Sequence, residues 1–239
     1  MKGLILALQF LTRLPLPRVE ADGTAFAAAM RWFPAAGLMI GGLVAGAAWA
    51  GARIDAWTGA LLALLAWVWV TGALHLDGLA DLADAKGAAH RDRERLLAVL
   101  ADPHVGAMGA TAVALQLIAK LVLLHGLVQA AAFGPLLLIP FAARIGPLIW
   151  SRWLPPLHDG LGARFAVIIR PVDLALWGIM LLAVAFWAPA LLAMAPLAGL
   201  WGWWIFTRIG GISGDSHGAG IELLESGLLL AVIVWARAS

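Results

Sequence analysis

Seven apolar stretches, each close to the length of a membrane span, constrain this 239-residue chain more than any other feature. A helix needs about 20 mostly apolar residues to cross the hydrocarbon core of a bilayer. The hydrophobic share of 63% and the charged share of 13% lie outside the range of soluble domains. The sequence therefore predicts an all-α integral membrane protein, a bundle of about seven transmembrane helices, with a single domain over residues 1–239. The stretches lie at residues 34–52, 56–74, 107–128, 133–151, 171–188, 190–207 and 218–235.

The N-terminal segment Met1 to Leu14 is too short to span, and Arg13 with Pro15 closes it. We expect a short amphipathic helix that lies on the membrane surface or is tucked into the bundle. The absence of cysteine excludes disulfides and thiolate chemistry. The net charge of +2 gives no indication of a nucleic-acid partner.

Lys and Arg fall almost entirely on one side of the predicted spans. The opposite side receives only Arg53 and Arg237, so the positive-inside rule places the N-terminus and the long loops in the cytoplasm and the C-terminus outside. Lys120 and Arg144 remain inside spans, where a charge is costly and marks either a functional residue or one that reaches to the interface. The cationic residues on the first side are Lys2, Arg13, Arg18, Arg31, Lys86, Arg91, Arg93, Arg95, Arg152, Arg164, Arg170 and Arg208.

Three aspartates follow the second predicted span, in the run His75-Leu-Asp77-Gly-Leu-Ala-Asp81-Leu-Ala-Asp84. At 100° per residue the three side chains fall within about 60° of one another on a helix. Like charges in such an array repel one another unless a cation lies between them. Mg²⁺ is usually held by a few carboxylates together with the phosphates of a substrate, so the run predicts a magnesium site. His75 points about 160° away from Asp77 on an ideal helix, and we leave it out of that site.

Two further segments on the same predicted side carry candidate residues. The segment Asp102-Pro-His104-Val-Gly106-Ala-Met-Gly109 leads into the third predicted span. Its glycines allow the backbone to approach a phosphate closely. The seventh is entered through Asp215-Ser-His217, and Glu222 and Glu225 follow on the same helical face. Taken alone, Asp102 or Asp215 could equally be a helix cap.

These segments resemble the cobalamin synthase family, the adenosylcobinamide-GDP ribazoletransferases, in order along nearly the whole chain. His104 departs from the pattern, since the family more often has arginine there. The resemblance is carried by Phe10-Leu-Thr-Arg13-Leu-Pro-Leu-Pro, Phe33-Pro34 with Gly37, the triple-aspartate run, Asp102-Pro103-His104-Val-Gly106-Ala-Met-Gly109, Gly160-Leu-Gly162 and Gly214-Asp215-Ser-His-Gly218-Ala219.

The resemblance implies a Mg²⁺-dependent transferase of the bacterial cytoplasmic (inner) membrane, with its active site facing the cytoplasm. Such enzymes join adenosylcobinamide-GDP to α-ribazole or its 5′-phosphate and release GMP, late in cobalamin biosynthesis. The expected partners are these two small molecules and the lipid bilayer, with no nucleic acid. A homo-oligomer and a complex with other enzymes of the pathway both stay open.

We assign roles to these residues as expectations. For metal binding we expect Asp77, Asp81, Asp84, Asp215 and Glu222; for substrate binding, Arg144, Gly106, Gly109 and His217; for catalysis, Asp81, Asp84, His104 and Asp215. The general base stays open between His104, His217 and a carboxylate. We also expect Asp215 to lie near the triple-aspartate helix, because carboxylates that share Mg²⁺ must be close together.

Two other classes of protein compete with this interpretation. One is a different aspartate-rich, Mg²⁺-dependent membrane phosphotransferase or prenyltransferase. The CDP-alcohol type needs an aspartate three residues before Asp77, where this chain has Leu74. The other is an ion-coupled transporter, for which inverted repeats and charges at the midplane would be expected.

Overall fold

The computed structural model describes residues 2–89 and 92–238. Arg91, which entered the orientation argument, lies outside the described residues, as do Met1, His90 and Ser239. The described part is helical, and its one strand-like contact is an isolated bridge between Pro156 and Ile212. Its α-helices are α1 (Lys2–Leu11), α2 (Gly23–Ala28), α3 (Phe33–Ala52), α4 (Ala56–Thr71), α5 (Leu74–Ala89), α6 (Arg93–Leu100), α7 (Ala107–Gln129), α8 (Phe133–Ala143), α9 (Gly146–Trp153), α10 (Leu161–Ile168), α11 (Pro171–Ala185), α12 (Met194–Arg208) and α13 (Gly214–Ala238).

Five helical segments of the described chain are long and apolar enough to cross a membrane. A sixth arises if α4 and α5 count as one span, although they are bent by 83°. The prediction of an all-α bundle is confirmed: the sequence predicts about seven spans, and five described segments, or six with the bent pair, have the required length and hydropathy. The five segments are Gly23–Ala52, Ala107–Gln129, Phe133–Trp153, Pro189–Arg208 and Gly214–Ala238.

The two expected spans that fall short do so because their helices stop early. The expected span at 171–188 gives only α11, whose 15 residues reach about 22 Å, less than the hydrocarbon thickness of about 30 Å. The expected span at 56–74 gives the 16 residues of α4, which ends where Gly72 and Ala73 adopt positive φ angles of 58° and 60°. A hydropathy pattern does not report such a left-handed break, which Gly72 tolerates because it has no Cβ.

The N-terminal helix is tucked into the bundle, one of the two placements that the sequence allowed. Leu6, Ala7, Leu8 and Leu11 of α1 are buried. Beyond the end of α1, the Arg13 amide donates a hydrogen bond to the carbonyl of Val70, 2.8 Å away, in the last turn of α4. The N-terminal segment therefore supports the bend from which the aspartate-bearing helix α5 starts.

Small residues bring the central helices into close contact. Gly37 of α3 lies against the backbone of Pro140 and Phe141 in α8, and Gly41 lies against Leu137 of the same helix. Gly78 of α5 lies so close to α13 that a Cβ there would meet the carbonyl oxygen of Asp215 at 2.8 Å. Contacts between small residues drive helix association where lipid removes the hydrophobic driving force. The same contacts fix α5 against the start of α13.

Candidate active site

The three aspartates of α5 occupy one side of a helix whose other side is buried. Leu76, Ala80, Leu82 and Ala85 pack into the protein, whereas Asp77 is exposed and Asp81 and Asp84 are half-buried. This alternation is what an amphipathic helix requires at spacings of three and four residues. The carboxylates therefore face away from the apolar core, as the helical spacing predicted.

Asp215 joins these aspartates from the other end of the sequence. It is half-buried in the first turn of α13, directly across from Gly78. Asp77 and Asp215 line the same cavity, and the Asp215 backbone lies against Gly78, the residue after Asp77. The expected meeting of the two acidic segments is thus confirmed, and we call these four residues the aspartate cluster. Its four carboxylates favour a cation, or a ligand that brings one, near this end of the bundle.

Asp84 has a second function in the structure, because it ties α5 to the start of α7. Its carboxylate accepts hydrogen bonds from the Gly106 amide at 2.7 Å and from the Gly109 amide at 2.8 Å. A Cβ at Gly106 would come within 2.6 Å of that carboxylate. The two amides that we expected to approach a phosphate are therefore engaged by Asp84, which satisfies free N–H groups at a helix start.

His104 lies in the exposed loop before α7 and pairs with Asp102. The Nδ1 atom of His104 lies 2.6 Å from Asp102 Oδ1, which also accepts the His104 backbone amide at 3.0 Å. The hydrogen bond with the His104 side chain is the main reason that the pKa of Asp102 is held below its usual value. A carboxylate on Nδ1 orients the ring and leaves Nε2 available for a substrate.

Glu222 and Arg144 are not part of the aspartate cluster. Lys120 Nζ lies 2.7 Å from Glu222 and 2.6 Å from Glu225, and Arg144 Nη1 lies 2.7 Å from Glu225. All four side chains are buried, and we call them the ion-pair cluster. Glu222 follows Asp215 by seven residues, or about 10 Å along a helix, which separates the two carboxylates. We expected Glu222 to bind a metal and Arg144 to bind a phosphate. In the structure both side chains form buried ion pairs, Glu222 with Lys120 and Arg144 with Glu225.

A cavity of about 170 Å³ adjoins the aspartate cluster and contains the predicted substrate-binding residue His217. Asp77 and Asp215 also line it, and so does His75, which the helical-wheel argument had left out. Two residues of separation put His75 and Asp77 on different sides of α5, but the cavity extends around the first turn of that helix. The sequence held no local signal for this placement, because the burial of His75 depends on how the helices pack.

The aspartate cluster can hold Mg²⁺ only with help from a ligand. In residues 2–89 and 92–238, no three Asp, Glu, His or Cys side chains are grouped closely enough to hold a metal ion by themselves. Mg²⁺ is commonly bound by one or two carboxylates, several waters and the phosphates of a substrate, so the all-oxygen donor set fits this ion. Asp77, Asp81 and Asp215 are the candidates, because the oxygens of Asp84 already accept two amides.

A helical membrane protein with a carboxylate site at one end of its bundle is the class that this fold and site define. The chain belongs to the cobalamin-5-phosphate synthase family, whose sequence model matches residues 3–233. Members of this family are transferases of cobalamin synthesis.

Relatives that carry a functional name extend the match over nearly the whole chain. A protein of Novosphingobium aromaticivorans named adenosylcobinamide-GDP ribazoletransferase is 64% identical over 238 residues, which cover 98% of this chain and 97% of the relative. Proteins of the same name from Thiobacillus denitrificans and Brevibacillus brevis are 52% and 34% identical, covering 96% and 98% of this chain and 94% and 98% of those relatives. No solved structure matches the chain.

Proposed function

We propose that the protein transfers the adenosylcobinamide phosphate group from adenosylcobinamide-GDP to α-ribazole or α-ribazole 5′-phosphate, with Mg²⁺, and releases GMP. One structural observation supports the proposal independently of the family match. Carboxylates from α5 and from the start of α13, far apart in sequence, meet beside a cavity large enough for part of a substrate. Transfer of a phosphoryl group depends on positioning and on neutralising a diphosphate, which such an array supports.

Asp77, Asp81 and Asp215 are the proposed metal-binding residues, of which one or two would bind an ion together with the oxygens of a diphosphate. Mg²⁺ would supply positive charge to the diphosphate as negative charge builds up on the leaving GMP. Asp84 is a positioning residue in this scheme, because it holds the loop before α7 next to the other three carboxylates. A ribose hydroxyl of the acceptor attacks the phosphorus next to the corrinoid side chain, and the bond from that phosphorus to GMP breaks.

His104 is the proposed acceptor of the hydroxyl proton. Its Nδ1 atom is engaged by Asp102 and its ring is exposed, whereas Nε2 of His217 already lies 3.1 Å from the Ser151 hydroxyl. A base oriented by a carboxylate is a recurrent arrangement in catalysis. We expect His104→Gln to lower kcat by about 100-fold with a small change in KM, as typical for loss of a general base. Unchanged kcat would instead place the base at a carboxylate.

The protein is further proposed to lie in the cytoplasmic membrane with the aspartate cluster on the cytoplasmic side. The Lys and Arg asymmetry supports this orientation. A reporter fused after Lys86 should then be cytoplasmic, and one fused after Ser239 should be external. A cytoplasmic C-terminus would contradict the proposed orientation and would mean an even number of spans.

Release of GMP tests the proposed reaction directly. The purified protein in detergent or lipid is supplied with adenosylcobinamide-GDP and α-ribazole, and GMP is followed with and without Mg²⁺. We expect Mg²⁺-dependent release that requires both substrates. Release without α-ribazole would indicate hydrolysis instead of transfer, and no release above background would overturn the proposal in favour of another substrate pair.

A further inference from the structure

A large apolar groove lies between α5, α7, α12 and α13, apart from the cavity beside the aspartate cluster. It measures about 700 Å³, and Lys86 is the single ionisable side chain that lines it among the described residues. Leu200 of α12 and Leu223 of α13 are exposed in its lining. Both helices belong to segments with the length and hydropathy of membrane spans, so the groove opens on a surface that faces lipid. We call it the apolar groove.

A second cavity, of about 420 Å³, adjoins one end of this groove and is cationic. Lys86 lines both cavities, and Arg93, Arg208 and Asp92 line the second. Within residues 2–89 and 92–238, none of the three cations forms an ion pair. Asp92 accepts two amides at the start of α6, and Arg93 donates to the carbonyl of Leu157 at 3.0 Å. Three cations against one carboxylate favour an anionic ligand in this cationic cavity.

Two helices that line the groove change from apolar to cationic toward this same end. On α12, Leu197 and Trp204 lie on the face that borders the groove, and Arg208 follows one turn later in the cationic cavity. From Leu197 to Arg208 the helix rises about 16 Å, close to half of the hydrocarbon thickness of about 30 Å. On α5 the residues of the groove are, in chain order, Leu79, Leu82, Ala83, Lys86 and Gly87.

We infer that the apolar groove and the cationic cavity together bind one anionic phospholipid. Its acyl chain lies in the groove along α12, and its phosphate lies at Lys86, Arg93 and Arg208. The distance along α12 matches one leaflet, and basic cavities between membrane helices bind the headgroups of anionic lipids. A chain gains little by leaving lipid for an apolar groove, so the charge decides which lipid is bound. This inference does not depend on the proposed reaction.

Lipid binding to the delipidated protein in detergent, measured by native mass spectrometry, tests the inference. Each Lys or Arg near an anionic headgroup contributes about fivefold in affinity, so dioleoyl phosphatidylglycerol should bind at least about tenfold more tightly than dioleoyl phosphatidylcholine. The two lipids have the same chains, and the second has no net charge. Lys86→Gln/Arg208→Gln should bind phosphatidylglycerol about 25-fold more weakly than the wild-type protein.

The matched control for this variant is Lys2→Gln/Arg18→Gln. It removes the same two types of charge from outside both cavities and should bind both lipids as the wild-type protein does. Equal binding of the two lipids to the wild-type protein, or equal weakening in both double variants, would overturn the inference.

A soluble phosphate ester distinguishes a lipid from a free anion without any variant. An excess of sn-glycerol 3-phosphate, which carries the phosphate and no chain, should leave phosphatidylglycerol bound. Displacement of the lipid would show that the cationic cavity recognises a free phosphate and would overturn the lipid assignment.

Fluorescence quenching tests the position of the acyl chain. Trp201 and Trp204 line the groove and stack with ring centroids 5.2 Å apart. Phosphatidylglycerol brominated on its acyl chains, added in equimolar amount to the protein in detergent, should quench these rings. Trp204→Phe should lower the quenching, whereas Trp187→Phe, which changes an exposed ring outside both cavities, should leave it unchanged. Quenching that persists in full in Trp204→Phe would overturn the placement of the chain in the groove.

Discussion

The ion-pair cluster and the aspartate cluster are two groups of four charged side chains that differ in charge balance. In the ion-pair cluster, Lys120 and Arg144 offset the charges of Glu222 and Glu225 within 2.7 Å, out of contact with solvent. In the aspartate cluster, none of the four carboxylates forms an ion pair with a Lys, Arg or His side chain of the described residues. The charges of the ion-pair cluster balance within the protein, whereas those of the aspartate cluster do not and favour a cationic ligand. We therefore expect substitutions in the first cluster to change stability and substitutions in the second to change activity.

The largest expected effect is on activity, in Asp77→Asn and Asp81→Asn. Each change keeps the shape of the side chain and removes a charge that the diphosphate and its metal require, so kcat/KM should fall by at least about 100-fold. Stability in detergent should be unchanged or slightly higher, because repulsion among the carboxylates decreases. GMP release and thermal unfolding of the same preparations measure both quantities.

Asp92→Asn is the control for these two variants. Asp92 caps α6 by accepting the amides of Glu94 and Arg95, and asparagine caps a helix about as well. Activity should therefore stay close to that of the wild-type protein. Equal losses at positions 77, 81 and 92 would show that this region is sensitive to any substitution and would remove the support for a metal site.

A large effect on stability is expected for Lys120→Met. The change leaves Glu222 and Glu225 with Arg144 as their one cationic partner among the described residues, and an uncompensated buried charge costs about 3–5 kcal/mol. The double variant Lys120→Met/Glu222→Gln restores the balance and should recover much of that loss. Unfolding in detergent measures the effect, with the exposed Lys2→Met as control. A double variant no more stable than the single one would contradict the importance of charge balance.

The smallest expected effect is the stabilisation of the protein by Mg²⁺ alone. At ten times its dissociation constant an ion that binds only the folded state adds about 1.4 kcal/mol, or roughly 3–6 °C in Tm. The shift should persist in Lys120→Met and disappear in Asp81→Asn, with NaCl of equal ionic strength as control. A shift that persists in Asp81→Asn would place the ion elsewhere.

The sequence predicted the parts of the site that depend on local spacing. The common face of Asp77, Asp81 and Asp84 follows from helical periodicity, and the position of Asp215 near them follows from the need of carboxylates to share a ligand. The pairing of Arg144 with Glu225 joins residues 81 positions apart, and no local pattern reports it. Because the sequence does not show this pairing, sequence reasoning assigns Arg144 to substrate binding and Glu222 to metal binding.

The lengths of two expected spans were overestimated for a different reason. Hydropathy measures composition along the chain, whereas the ends of α4 depend on backbone angles at Gly72 and Ala73. The engagement of the Gly106 and Gly109 amides by Asp84 was missed because a glycine-rich helix start serves a carboxylate of the protein as well as it serves a phosphate.

The ion-pair cluster also constrains the order in which the protein can be made. Lys120 enters the membrane with α7, but its partner Glu222 is synthesised 102 residues later. At 5–20 residues per second the ribosome needs roughly 5–20 s to supply that partner. During this interval two cations lie in the membrane segments without their carboxylates, so α7 and the α8–α9 segment must stay near the insertion machinery or the interface. The bundle can close only when its last helix arrives.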